Sequence, residues 1–363
     1  MNYPRLEIDS SKIKHNAQTL IHQLGLKGIS VTPVTKVCLG HPVIAQILVN
    51  AGAKILADSR IENIEKIKKS GITIPAMLIR SPMLSQVKNV IQYCDISLNT
   101  ELVVIRALSA AASKLNITHD IIIMVELGDL REGVMPIDLL SFIENITHLP
   151  HITLRGIGSN LACRYGVSPD DNNMSQLSDL ADEIDRKFDM QLDIISGGNS
   201  ASLNWAFNNT KPTRVNDLRL GEAIFLGCEA LYQEHIKGLF NDVITLTAEV
   251  IESKIKPSQP WGKRAVNAFG EKPHTDDRGA VSQAILALGR QDVSISGITP
   301  PEGITIVSST SDHLIIETSG KSLIVGQKIN FKLNYSALLF AMTSPFVHKY
   351  FLTQLDGMQQ QLA

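Results

Sequence analysis

From about residue 10 to residue 226, short apolar runs alternate with longer stretches in which apolar residues recur every three or four positions. The first pattern reads as strands buried on both faces and the second as amphipathic helices. Ser10 or Ser11 can cap a first helix whose stripe is Ile13, Ala17, Leu20, Ile21 and Leu24. Strands are expected at 31–36, 54–57, 74–79, 95–98, 121–127, 152–157, 192–195 and 218–220. Helices are expected from Pro42 onward, at 61–69, 82–92, 100–115, 136–146 and 173–188, and near 203–207. Such alternation implies a parallel sheet with right-handed crossovers. Eight units suggest closure into a (β/α)8 TIM barrel, with an open doubly wound sheet as the alternative. Beyond about residue 240 the rhythm changes. Strand-like runs at 243–251, 282–288, 304–308, 314–318 and 329–333 are separated by Gly, Pro, Asp and Ser clusters, and a helix is expected near 346–355. The expectation is a barrel over 9–240 and a C-terminal, mainly antiparallel β domain over 241–363, which the short strand at 1–8 can join.

Composition narrows the function classes. The formal charge of -2 over 363 residues argues against nucleic acid or an anionic membrane as the main partner, because both call for a basic face. No long apolar run predicts a membrane span, and no apolar leader is read at the N-terminus, so a cytoplasmic protein is expected. Cys38, Cys94, Cys163 and Cys228 are scattered without metal-ligand spacing, which predicts reduced thiols and no structural zinc. Cys38 can be a reactive thiol or a small buried hydrophobe.

In a TIM barrel the chemistry gathers at the C-terminal strand ends, with phosphate sites often after strands seven and eight. The unusual polar residues fall there. Lys36 ends the first strand; Asp129 and Arg131 follow the fifth; Ser159 and Asn160 follow the sixth. Gly198-Asn199-Ser200 follows the seventh, and Arg219, Gly221 and Glu222 lie at the eighth. A lysine at that lip can hold an aldehyde as a Schiff base, or can be an ordinary surface lysine. The Gly198-Asn199-Ser200 turn can offer N–H groups and a hydroxyl to an anion, or can simply cap a helix. An aldehyde-binding amine and a phosphate cradle in one mouth point to pyridoxal 5'-phosphate (PLP). Arg219, aimed at the pyridine nitrogen, would keep it unprotonated and weaken the ring as an electron sink, which suits simple proton return.

Several longer segments carry a family resemblance: Ala57-Asp58-Ser59-Arg60-Ile61-Glu62-Asn63, Gly128-Asp129-Leu130-Arg131-Glu132-Gly133, Ile195-Ser196-Gly197-Gly198-Asn199-Ser200, Arg219-Leu220-Gly221-Glu222-Ala223, Leu288-Gly289-Arg290-Gln291-Asp292 and Ala341-Met342-Thr343-Ser344-Pro345. Together they resemble the alanine-racemase-like family of fold type III PLP enzymes over nearly the whole chain. The resemblance implies PLP on Lys36, with Asn199, Ser200, Gly221 and the C-terminal Tyr335 around its phosphate. It also implies Arg219 at the ring nitrogen, and Arg131 near the ring oxygen or the substrate carboxylate. It further implies a head-to-tail homodimer whose active sites are shared. Three departures stand out. Asn160 takes the place of the family's histidine over the ring. Arg290, in Gly289-Arg290-Gln291-Asp292, replaces the tyrosine that serves as second base. Ser311-Asp312, followed by His313, replaces a Met-Asp motif.

Racemisation removes a proton from one face of Cα and delivers it to the other, which two bases do most simply. Lys36 is expected on one face. His313 is the best alternative for the other, with Asp312 and Asp292 next. Arg290 can bind the substrate carboxylate. The resemblance implies interconversion of L- and D-ornithine as the expected reaction. A distal ammonium would need an acidic partner, for which Asp129, Glu222, Asp292 and Asp312 are candidates. Alanine or lysine as substrate, or a non-catalytic PLP-homeostasis role, remain the alternatives. No metal is expected.

Overall fold

The computed structural model describes residues 2–272, 274–320 and 322–352, and the chain divides into two compact units, Ser10–Asn241 and Met1–Asp9 with Asp242–Ala363.

The unit Ser10–Asn241 is a (β/α)8 barrel. β1 (Arg5–Ile8) precedes it and belongs to the other unit. The barrel then runs α1 (Ser10–Gly25), β2 (Ser30–Pro33), α2 (Pro42–Asn50), β3 (Leu56–Asp58), α3 (Ile61–Lys69), β4 (Ala76–Leu78), α4 (Val87–Tyr93), β5 (Ile96–Asn99) and α5 (Leu102–Leu115). It continues with β6 (His119–Met124), α6 (Leu139–Glu144), β7 (Ile152–Gly158), α7 (Asp171–Phe188), β8 (Ile194–Ser196), α8 (Leu203–Asn208), β9 (Asp217–Leu220) and α9 (Glu222–Leu226). All eight strands from β2 to β9 pair in parallel, in the order β2-β9-β8-β7-β6-β5-β4-β3. The seam between β2 and β3 is closed by a parallel bridge from Val34 to Ala57, with the Thr35 N–H donating to the Ala57 carbonyl at 2.8 Å.

Period-two alternation builds two core layers. Met77 of β4 packs inward with Val34, Ala57, Ile96, Leu98, Ile122 and Met124. Its neighbours Ala76 and Leu78 face outward against Ile61 and Ile64 of α3, Val90 and Ile91 of α4, and Leu108 and Ala112 of α5. Ile61, Ile64 and Ile67 recur every third residue, so one face of α3 carries its burial. In α7 the Asp170 side chain accepts from the Asn173 N–H, and the Asn173 side chain returns a bond to the Asp170 N–H.

The first strand is shorter than the apolar run suggested. β2 stops at Pro33, and Lys36 opens a 3-10 turn, Lys36–Cys38. The cause is local: the Thr35 carbonyl accepts from the Cys38 N–H at 3.0 Å and the Gly40 N–H at 3.3 Å, which curls the chain off the sheet.

The second unit is a mainly antiparallel β domain. β10 (Ile244–Pro257), β11 (Ala280–Leu286), β12 (Ile298–Thr299), β13 (Ile304–Ser309), β14 (Leu314–Thr318) and β15 (Lys328–Leu333) form a sheet in the order β12-β15-β10-β11-β14-β13. β1 joins it antiparallel to β10. The helix expected at 346–355 is corrected. The helix here is α10 (Tyr335–Thr343), capped by the Asn334 side chain accepting from the Ala337 N–H. It ends at Ser344, because a residue before proline is pushed into extended backbone. β16 (His348–Phe351) follows and pairs in parallel with β1; residues 353–355 of the expected helix lie outside the described residues. No described helix is long and apolar enough to cross a membrane.

Candidate active site

Lys36 is half-buried at the C-terminal end of the first barrel strand. The residue before it anchors it. The Thr35 hydroxyl donates to Asp58 Oδ2 at 2.7 Å, and Asp58 is itself fully buried, accepting from the Arg60 N–H at 2.9 Å and Asn63 Nδ2 at 3.0 Å. Burial raises the Asp58 carboxyl above its ordinary range, and the bonds from Thr35 and Asn63 work against that rise. Cys38 lies in the same turn, its thiol donating to the Thr35 carbonyl, and burial pushes that thiol up to about 12. The small buried hydrophobe is therefore the correct reading of Cys38.

On the neighbouring strand, Arg219 of β9 is buried. Its Nη1 donates to the Ser196 hydroxyl and its Nη2 to the Ser159 carbonyl at 2.7 Å. The Ser196 hydroxyl donates in turn to Asp217 Oδ2, and Asp217 Oδ1 accepts from the Thr32 hydroxyl at 2.6 Å. Arg219 thus reaches its nearest strand carboxylate through a serine. Burial lowers the guanidinium from its ordinary value, with Asp217 opposing that shift. This relay of Thr32, Asp217 and Ser196 was missed from the sequence. Period two puts Asp217 and Arg219 on one face of a strand, but the register that adds Thr32 and Ser196 comes only with the sheet.

The loops after β8 and β9 meet beside it. Gly198 has φ +113, and a Cβ there would stand 2.7 Å from the Ser202 hydroxyl oxygen. A Cβ on Gly221 would stand 3.3 Å from the Val34 carbonyl oxygen, so a side chain would crowd the strand that leads to Lys36. Ser200 is buried and its hydroxyl accepts from the Ala223 N–H at 3.2 Å, joining the two loops. The Asn199 amide donates to the Leu161 carbonyl at 2.9 Å and to Asn160 Oδ1 at 3.2 Å. Two buried polar atoms here, Ser159 Oγ and Asn160 Nδ2, lack a protein partner. Orphaned polar atoms beside a buried guanidinium and a glycine-lined turn fit a polar, phosphorylated ring such as PLP.

The loop after β6 is built around buried carboxylates. Asp129 is fully buried, and its oxygens accept from the N–H groups of Cys163 (3.0 Å), Arg164 (2.9 Å), Tyr165 (3.0 Å) and Val167 (3.4 Å). Burial would raise this carboxyl, yet those backbone donors outweigh it and hold it below the usual range. Asp129 therefore staples two loops together. Glu126 closes its own loop, accepting from the N–H groups of Gly128, Leu130 and Arg131. Arg131 pairs with Glu132, and both lie within electrostatic range of Arg219, as does the exposed Cys163.

Glu222 is half-buried just beyond the end of β9. It accepts from Gln233 Nε2 at 2.9 Å; burial raises its carboxyl, and the Gln233 bond and the Lys36 charge pull it back. Asn160, Asn199, Ser200, Arg219, Gly221, Glu222, Arg131 and Lys36 are thus brought to one barrel end.

The remaining candidates fall in the β domain. Arg290, Asp292, Asp312 and His313 share one corner, where the Arg290 N–H donates to the Thr310 carbonyl at 3.0 Å. Arg290 holds Glu271 with two bonds of 3.0 Å, donates to Ser309 Oγ at 3.0 Å and stacks 3.8 Å above the Phe269 ring. Its fork is taken by Glu271 inside its own domain. Asp292 is buried, accepting from the Gly289 N–H at 2.9 Å and from the Ser344 hydroxyl, and closes its own turn. His313 Nδ1 lies 2.9 Å from Asp312 Oδ1, and that contact holds Asp312 below the usual carboxylate range. Tyr335 is half-buried at the start of α10.

Comparison with known proteins agrees with this fold. Residues 8–228 match the model of the alanine racemase N-terminal domain. The chain is 42% identical over 356 residues to the ornithine racemase of Acetoanaerobium sticklandii, covering 96% of this chain and 100% of that one. It is 36% identical over 353 residues to the lysine racemase of Thermotoga maritima, covering 97% and 99%. Among solved structures, alanine racemase from Streptomyces coelicolor A3(2) superimposes with a TM-score of 0.76 at 14% identity, covering 96% of this chain and 98% of that one. A barrel domain matched along its length, and full-length relatives well above the identity at which folds diverge, make this chain a member of the alanine racemase family.

Proposed function

We propose that this protein is a PLP-dependent racemase that interconverts L- and D-ornithine. The observation that carries the reading is Arg219: a buried guanidinium, steadied through Ser196 by Asp217, at the same barrel mouth as Lys36. Lys36 would hold PLP covalently. Asn199, Ser200 and the backbone at Gly221 would surround its phosphate, with Tyr335 from a β domain; Arg219 would meet the ring nitrogen, and Asn160 and Arg131 would border the ring. When bound, PLP makes the Cα proton acidic by drawing electrons into its ring. An arginine at the ring nitrogen cannot give up its proton, so it limits how far that withdrawal goes and favours return of the proton to Cα.

The Lys36 amine is the natural base for one face of Cα. For the other face we assign the His313 imidazole, whose Nδ1 is held by Asp312 at 2.9 Å, leaving Nε2 to carry the proton. The 42% identity to an ornithine racemase favours ornithine, and the lysine racemase at 36% makes lysine the second substrate to try. A head-to-tail homodimer with shared active sites, working in the cytoplasm, completes the proposal.

The test is direct. Purified protein should show a visible absorbance band and should destroy the optical rotation of L-ornithine faster than that of L-lysine or L-alanine. Lys36→Ala should lose both the band and the turnover. A colourless wild type, or coloured protein that exchanges no Cα proton of any amino acid for deuterium, would refute the racemase; the second result would point to a PLP carrier.

A further inference from the structure

We propose that Glu222 receives the distal ammonium of a diamino-acid substrate and so sets the substrate class; this rests on the racemase reading and names the side chain that reading leaves open. The barrel places several carboxylates around Lys36 and Arg219, and nearly all are committed. Asp58 is tied to Thr35 and Asn63, and Asp217 to Thr32 and Ser196. Glu126 and Asp129 each collect backbone N–H groups, and Glu132 is held by Arg131. Glu229 is buried, accepting from the N–H groups of Leu231, Tyr232 and Glu234. A carboxylate that closes its own loop cannot turn toward a ligand without leaving those donors unpaired.

Glu222 differs in both partner and place. It accepts from a neutral amide, that of Gln233, which sits on a surface loop at φ +59. It follows Gly221, which packs on Val34, so it stands on the Lys36 side of the mouth and feels the lysine's charge. The nearby Cys228 thiol is pushed up to about 12 by burial and by Glu222 and Glu229, so no thiolate competes there for a cation. A half-buried carboxylate with a neutral partner is poorly compensated. An incoming ammonium would compensate it, whereas a neutral side chain of the same length would not.

The experiment compares wild-type, Glu222→Gln and Glu222→Asp holoenzymes on L-ornithine, L-lysine and L-norvaline, the last matching ornithine's carbon chain without its ammonium. The expected result is a fall in kcat/KM for ornithine of roughly 30-fold or more in Glu222→Gln, carried mainly by KM, with norvaline changed by less than about threefold and part of the ornithine loss restored in Glu222→Asp. An equal fall on ornithine and norvaline, or an unchanged KM for ornithine, overturns the assignment. Should the wild type racemise none of these, the racemase reading fails. Equilibrium dialysis of L-ornithine against the same holoproteins then decides Glu222 alone: weaker binding in Glu222→Gln supports it, and equal binding overturns it.

Discussion

At the barrel mouth, the turn that carries Lys36 and the Arg219 side chain are both held by neighbouring polar side chains. Thr35 fixes the turn that presents Lys36, and Ser196 and Asp217 fix Arg219. Ser196 Oγ lies between a guanidinium and a carboxylate, so the pair acts as a unit and its members should not be additive. Asp217→Asn is expected to lower the unfolding free energy by about 1–3 kcal/mol in urea titrations. Added to Ser196→Ala it should cost little more, because the first change already breaks the relay. Additive losses in the double variant would show that Arg219 is held by other contacts. Ser196 and Asp217 carry no sequence signal of their own: a serine and an aspartate on two strands become one relay only when β8 and β9 lie side by side.

At the scale of elements, short carboxylate staples hold the loops over the barrel. Asp129, in the loop after β6, gathers the N–H groups that start the loop after β7. Asp129→Ala removes the acceptor and leaves those donors to solvent. A loss of ~2–3 kcal/mol is expected, with amide exchange at Cys163, Arg164 and Tyr165 accelerated before the rest of the barrel. Unchanged exchange there would mean the loop is fixed elsewhere. The missed helix teaches the same lesson. Tyr335–Thr343 is almost wholly apolar, so no 3.6-residue stripe marks it. Asn334 as a cap and Ser344-Pro345 as a stop were the signals available. β16 was invisible in a different way, because its partner β1 lies at the other end of the chain.

Across the molecule, pH acts through a buried histidine remote from the proposed chemistry. His119 opens β6, and its Nε2 meets the Ser97 hydroxyl at 2.8 Å, with Asn99 Nδ2 2.9 Å from the same oxygen. Burial lowers its pKa from 6.5 to about 4, with Asp95 opposing. Between those values the unfolded chain binds a proton that the folded one refuses. Stability is therefore full above about pH 6.5 and falls as the pH drops toward 4, by ~3 kcal/mol once both values are crossed. His119→Gln should flatten this part of a stability profile measured by urea unfolding between pH 4 and 7; an unaltered slope would assign the acid sensitivity to carboxylates instead.

The alternation of strand and helix, the change of rhythm near residue 240, and the placing of Lys36, Asn199, Ser200, Arg219 and Gly221 at strand ends were all legible in the chain alone. Periodicity reports burial, and a parallel barrel turns strand ends into a site. The fate of the acidic residues was not legible. Asp129, Asp292 and Glu222 look alike as letters, yet Asp129 closes two loops, Asp292 closes its own turn and Glu222 stands beside Lys36. A carboxylate is defined by the donors that reach it, and those donors come from segments far away in sequence that only the folded backbone brings together.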